Sequence, residues 1–451
     1  MASARSTQTT MAFAAVTTLF FAWGFITSLV DPLVTAVKGV FTLSDLQAQL
    51  AAFAFFIAYG VFSFPAAALL ARLKAVPSIL FALSLMIAGC VVMLVAANLA
   101  IFTLVLVGLF VLASGITLLQ VAANPLAAAL GDPSRSHLRL VLSQTFNSVG
   151  TFIGPFIGAV LFLKGVEVKP GTVVTDAVRA DALAGIDTAY FWLCGMLALL
   201  MLFFWFSRRV VTEAAPASSV EARGSLGALI ADAFSSKWAL LGGMAIFLYV
   251  GAEVSIGTQM ALFLHSDPIW GKSDAAFGVP LLGWAMGSDG VFGVSAQEAG
   301  KAVAFYWGGA MVGRAIGSAL LARFNAARLL TAFTAVAAAM CLYVFAVGGV
   351  TAGFVALAIG LFNSIMFPVI FTLTLERSSA SEEATSGLLC TAIIGGAFVP
   401  LLVGTVSGAH GYAFALIVPA LCYGVLCIFS IAAGRAKPVR GEEERTSASI
   451  H

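Results

Sequence analysis

The chain holds 451 residues, 61% of them hydrophobic and only 10% charged, with a net charge of +2 at pH 7. A soluble fold carries roughly 25% charged residues, and the few charges here form no basic tract that could hold a nucleic acid. Apolar stretches recur that are long enough to cross the ~30 Å hydrocarbon core of a lipid bilayer as helices, so the composition predicts an all-α integral membrane protein.

In chain order the apolar runs fall at 11–37, 47–71, 77–97, 100–127, 141–163, 188–207, 238–264, 299–321, 328–347, 350–374, 385–407 and 411–434. That predicts twelve transmembrane helices. No short apolar segment with a small-residue cleavage site follows the polar start, so the first helix is expected to be a retained signal anchor. The longest polar stretch, "SRRVVTEAAPASSVEARGS", divides the twelve into two sets of six. The expected organisation is an N-terminal bundle at 1–207, a cytoplasmic linker at 208–237, a C-terminal bundle at 238–434 and a tail at 435–451. An even count returns both termini to one side, and the Lys/Arg bias makes that side cytoplasmic. Outside loops then hold only Lys38, Lys164, Lys169, Arg179, Lys272 and Lys301, whereas inside segments hold most of the rest, such as Arg72, Lys74, Arg208 and Arg209.

The halves repeat each other. "ALLARL" closes the second run and "ALLARF" the eighth. Gln120 precedes Pro125 by five residues in the fourth run, as Asn363 precedes Pro368 in the tenth. Gly150 and Pro155 in the fifth run are matched by Gly395 and Pro400 in the eleventh. Two parallel six-helix repeats resemble the architecture of major facilitator transporters, whose substrate site lies near midplane between the halves.

A charge at mid-bilayer costs at least ~2.5–3.5 kcal/mol, so the polar residues inside the runs need a reason. Trp23, Thr27 and Asp31 share one helical face by their i, i+4, i+8 spacing; Thr117, Gln120 and Asn124 share another, as do Gln144, Asn147 and Thr151. In the second half Glu253, Tyr306, Trp307 and Asn363 stand in comparable places. Amides offer donor and acceptor together and can hold two adjacent hydroxyls, while Trp or Tyr covers the apolar face of a ring. The set fits a neutral polyol better than an ion. Interhelical packing is the competing reading for each amide. Gly150, Gly154 and Gly158 are read as a close helix contact, and Arg314 as an anchor at a cytoplasmic helix end. The six cysteines lie in apolar runs without metal-ligand spacing, so neither a disulfide nor a metal or other cofactor is expected. Without an HExxH, a GxSxG or an acidic doublet inside a run, the chain is not read as an enzyme, and no stretch is long enough for a receptor's output domain.

The stretches "WGFITSLVDPL", "AFFIAYGVFSFPAA", "TLLQVAANP", "LSQTFNSVGTFIGP", "YVGAEVSIG", "YWGGAMVGRAIGSALL", "GLFNSIMFP" and "IIGGAFVPLL" resemble the fucose/proton symporter family, and especially its glucose/galactose transporter branch. The resemblance implies a secondary active sugar transporter of the bacterial inner membrane, importing a hexose by proton symport and alternating access, as a monomer. It implies proton coupling at Asp31, with Glu253 a second acidic candidate, and sugar contacts at Gln144 and Asn147. Thr27, Gln120, Asn124, Glu253, Tyr306, Trp307 and Asn363 complete the expected site. Two features depart from the family. The fucose branch has a glutamate where this chain has Gln120, which leaves sodium coupling or facilitated diffusion open. The loop "ARLKAVPS" lacks the acidic and glycine-rich basic signature common in the superfamily. Glucose or galactose is the expected sugar, with N-acetylglucosamine, fucose and mannose as alternatives.

Overall fold

The computed structural model describes residues 2–29, 33, 41, 45–162, 176–215, 226–288, 290, 292–294 and 296–439. Asp31 lies outside the described residues. Every regular element among them is helical. The long helices are α1 (Ala2–Ser28), α2 (Asp45–Leu73), α3 (Ala75–Leu99), α4 (Phe102–Ala129), α5 (Ser136–Phe162), α6 (Asp176–Ala214), α7 (Lys237–His265), α8 (Ala296–Leu321) and α9 (Ala326–Val347). Three more are interrupted: α10 (Gly349–Asn363, then Met366–Arg377), α11 (Glu382–Thr391, then Gly395–His410) and α12 (Tyr412–Ala415, then Ile417–Arg435). Of the described helices, ten are long and apolar enough to cross a membrane, and α5 and α8 are not among those ten. Helix α8 carries Glu298, Lys301 and Arg314 within its length. The stretch expected as a linker contains a short helix of its own, Leu226–Ser235.

Burial separates interior helices from rim helices. Two thirds of the α10 window is buried (67%), against 28% for α6 and for α9. Helix α6 exposes Phe191, Trp192, Leu199 and Phe206. Apolar surface of that extent would drive association in water; in a bilayer it is the lipid-facing side of a span. Helix α6 begins at Asp176, ahead of the apolar span that starts at Leu183, and carries Arg208 and Arg209 near its other end.

Contacts divide the chain into two compact units. Unit 1 comprises Met1–Ser136, Phe146–Ser236 and Ala380–Thr391; unit 2 comprises His137–Thr145, Lys237–Ser379 and Ala392–His451. Helices α5 and α11, which occupy equivalent places in the repeat, are thus each shared between the units. Within unit 1 the first part of α11 packs on α2, with Gly387 against Ala67, and Asp232 Oδ2 accepts from the backbone N–H of Ser381 at 2.9 Å and its hydroxyl at 2.7 Å. Within unit 2 the start of α5 meets the end of α10: His137 Nε2 lies 3.0 Å from Glu376 Oε1, His137 Nδ1 pairs with the Thr372 hydroxyl, and Arg377 Nη1 lies 2.9 Å from Glu376 Oε2.

The repeat is visible at residue level. A Cβ at Gly150 of α5 would run into the Phe21 carbonyl of α1, and one at Gly395 of α11 would run into the Phe247 carbonyl of α7. Gly24 and Gly154 extend the first seam, against Asn147 and Ser28. Small residues let helix backbones approach closely in a membrane, where hydrophobicity does not drive helices together. The close contact expected of Gly150 and Gly154 is present; the surroundings of Gly158 are outside the described side chains.

Helix α10 breaks for a local reason. Pro368 has no N–H, and its ring crowds the carbonyl four residues earlier. That carbonyl belongs to Ser364, and the helix is interrupted at Ser364 and Ile365.

Candidate functional site

In unit 1 one polar cluster is drawn from α1, α2 and α4. Gln120 is 8% exposed, and its Nε2 donates to the phenol oxygen of Tyr59 at 3.0 Å. Thr27 lies beside the same phenol. Asn124 is fully buried one turn further along α4. Asn147, on the part of α5 that belongs to unit 1, donates from Nδ2 to the Phe20 carbonyl at 3.2 Å, while Thr151 donates to the Asn147 carbonyl at 3.1 Å. At least one hydrogen of the Asn147 amide is therefore engaged in the α1–α5 seam.

Unit 2 holds a second and larger network. Asn363 Nδ2 donates to the Tyr306 phenol at 2.7 Å, and that phenol donates to the Glu253 backbone carbonyl at 3.0 Å. Tyr249 donates to the Asn363 backbone carbonyl at 3.1 Å. Asn363 is 0% and Glu253 9% exposed, yet Asn363 Oδ1 and Glu253 Oε1 have no hydrogen-bond partner among the described residues. A buried acceptor left so costs ~1–3 kcal/mol. Trp307 stacks edge-on to Tyr306 at 5.1 Å between centroids and lies against Gly257.

Arg314 ties the network together. Its Nε donates at 2.8 Å to the Ser364 carbonyl that Pro368 leaves open, its Nη1 lies 3.4 Å from the Gln144 carbonyl, and its Nη2 stands 3.9 Å from Glu253 Oε1. Gln144 is 5% exposed and belongs to unit 2, so the two amides of α5 expected to act together fall in different units.

The model of the Major Facilitator Superfamily matches residues 11–290. The glucose/galactose transporter of Brucella abortus is 39% identical over 93% of this chain and 93% of its own. The L-fucose-proton symporter of Escherichia coli is 30% identical over 93% of this chain and 92% of its own. The crystal structure of the E. coli fucose:proton symporter superposes with a TM-score of 0.79 at 26% identity, covering 94% of this chain and 98% of that one.

The chain belongs to the Major Facilitator Superfamily.

Three residues of this superfamily member were not picked out as site candidates by the sequence patterns. Tyr59 and Tyr249 are one aromatic among many in their runs, and nothing in the spacing marks them. Arg314, expected to anchor a helix end, has a side chain 11% exposed and binds the Ser364 carbonyl where the first part of α10 ends, with the Gln144 carbonyl of α5 at 3.4 Å. The signal was available, because it is the one arginine inside the "YWGGAMVGRAIGSALL" run and an intramembrane charge is a functional candidate by default.

Proposed function

We propose that the protein is a secondary active transporter that imports a neutral hexose of the glucose/galactose type together with a proton, by alternating access of two six-helix halves, 1–207 and 238–434, with both termini cytoplasmic. The observation that carries this reading is the pair of buried amide–phenol clusters, one in each unit, with Asn363 Oδ1 lacking a donor among the described residues. Hydroxyl groups of a sugar supply such donors without a counter-charge. The names carried by the relatives from Brucella and E. coli support the same substrate class.

Coupling is assigned to Asp31, with Glu253 as the second acidic group; Gln144, Asn147, Gln120, Asn124, Thr27, Tyr306, Trp307 and Asn363 complete the proposed sugar site. A carboxylate that is neutral in one access state and charged in the other links proton movement to the cycle. Gln120 favours a second reading, facilitated or sodium-coupled transport, because an amide cannot take the proton that a glutamate would there. Liposomes containing only this protein decide between them. With an inward proton gradient, labelled glucose or galactose accumulates above the external level and the gradient is required; equilibration alone, or dependence on sodium, supports the second reading, and no internal label defeats transport of either sugar. Asp31→Asn is expected to abolish accumulation while sugar exchange persists.

A further inference from the structure

The two amide–phenol pairs are repeats of one device. Gln120 on α4 and Asn363 on α10 each stand five residues before a proline, and each donates its amide hydrogen to a tyrosine phenol, Tyr59 on α2 and Tyr306 on α8. Measured from the matching "ALLARL" and "ALLARF" ends, the tyrosines sit one helical turn apart, which keeps them on the same face of their helices. The third member corresponds as well. Thr27 lies six residues after Phe21 and Glu253 six after Phe247, the two carbonyl-bearing residues that face Gly150 and Gly395. Tyr306 donates to the Glu253 backbone, and Tyr59 lies beside Thr27.

In the second unit the direction of this chain is fixed by chemistry. The Glu253 backbone carbonyl can only accept, so the Tyr306 hydrogen points to it. The phenol then has only lone pairs to offer Asn363, whose NH₂ must face it. The carbonyl oxygen of Asn363 is therefore turned away from the phenol, and it has no hydrogen-bond partner among the described residues. A tyrosine in this place decides which end of the amide is presented.

Resting on the reading of Gln120 and Asn363 as sugar ligands, we propose that Tyr59 and Tyr306 are duplicated positioning residues that orient these amides so that their carbonyl oxygens accept hydroxyl hydrogens of the sugar. Tyr→Phe keeps the ring and removes only the oxygen, so the helices still pack while the amide is free to turn.

The test is uptake of labelled glucose or galactose, whichever the wild-type protein takes up, in proteoliposomes. Tyr59→Phe and Tyr306→Phe are each expected to raise KM about five- to tenfold, a larger effect than on the maximal rate, and to lower the unfolding midpoint because the phenol's buried partners lose a hydrogen bond. In backgrounds already carrying Gln120→Ala or Asn363→Ala, the matching Phe substitution should add less than about twofold, because the orientation it controls no longer matters. Unchanged KM in both Phe variants, beside raised KM in both Ala variants, overturns the positioning role and leaves the ligand reading standing. Full additivity of each pair overturns it likewise. Unchanged KM in Gln120→Ala and Asn363→Ala defeats the ligand reading, and the inference with it.

Discussion

Glu253 and Arg314 have side chains 12% and 11% exposed and stand 3.9 Å apart. Removing one member of a buried pair leaves the other charge without its counterpart, at about 3–5 kcal/mol, whereas removing both is far milder. Glu253→Ala is therefore expected to reduce folded yield and abolish uptake, and the double replacement Glu253→Gln with Arg314→Met to recover yield, read by chromatography of the purified protein. Glu253→Gln alone keeps an acceptor for a hydroxyl and should be milder than Glu253→Ala in sugar exchange; equal inactivity of the two would show that the charge itself is required. The amides of α5 separate in a second experiment. Gln144→Ala is expected to weaken apparent sugar affinity about tenfold. Asn147→Ala removes the bond to the Phe20 carbonyl and should lower the thermal unfolding midpoint, so uptake and unfolding measured together show how far Asn147 serves the seam. A site amide that also binds a neighbouring helix was legible only in part: spacing placed Gln144 and Asn147 on one face, but no sequence pattern assigns an amide to a carbonyl 127 positions away.

At the scale of helices, glycine and proline set the geometry that the site uses. Gly150→Ala and Gly395→Ala each drive a methyl group into a backbone carbonyl that has no rotamer to move aside. The overpacking is expected to destabilise by about 1–3 kcal/mol, seen as a lower unfolding midpoint. Pro368→Ala works in the opposite sense. It gives position 368 an N–H that can bond the Ser364 carbonyl, in competition with Arg314 Nε. The helix should then be straighter and no less stable, with uptake reduced about three- to tenfold because Arg314 is held less firmly. The glycine and proline positions were readable from the repeat, and the sequence predicted the close contact at Gly150 and Gly154. What Pro368 does for Arg314 was not readable. A proline announces an open carbonyl but not the side chain that reaches it, and Tyr59 stayed hidden for the same reason: its partner Gln120 is 61 residues away on another helix.

Over the whole molecule, the expected orientation follows from loop charge and can be checked directly. A cysteine in place of Ser288 should react with an impermeant maleimide in intact cells, and one in place of Ser219 only after permeabilisation; the reverse pattern would place the termini outside. The repeat also has a mechanical consequence, carried by the seams of α1 with α5 and α7 with α11. Where Gly150 meets the Phe21 carbonyl and Gly395 the Phe247 carbonyl, backbone lies on backbone and no side chain at that point can change rotamer to make room, so the approach yields little under load. Each seam is a stiff tie inside its own unit. The deformation that transport demands must then concentrate in more compliant places, and the turn at Ser364 and Ile365, where α10 is interrupted, is one such joint in the second unit.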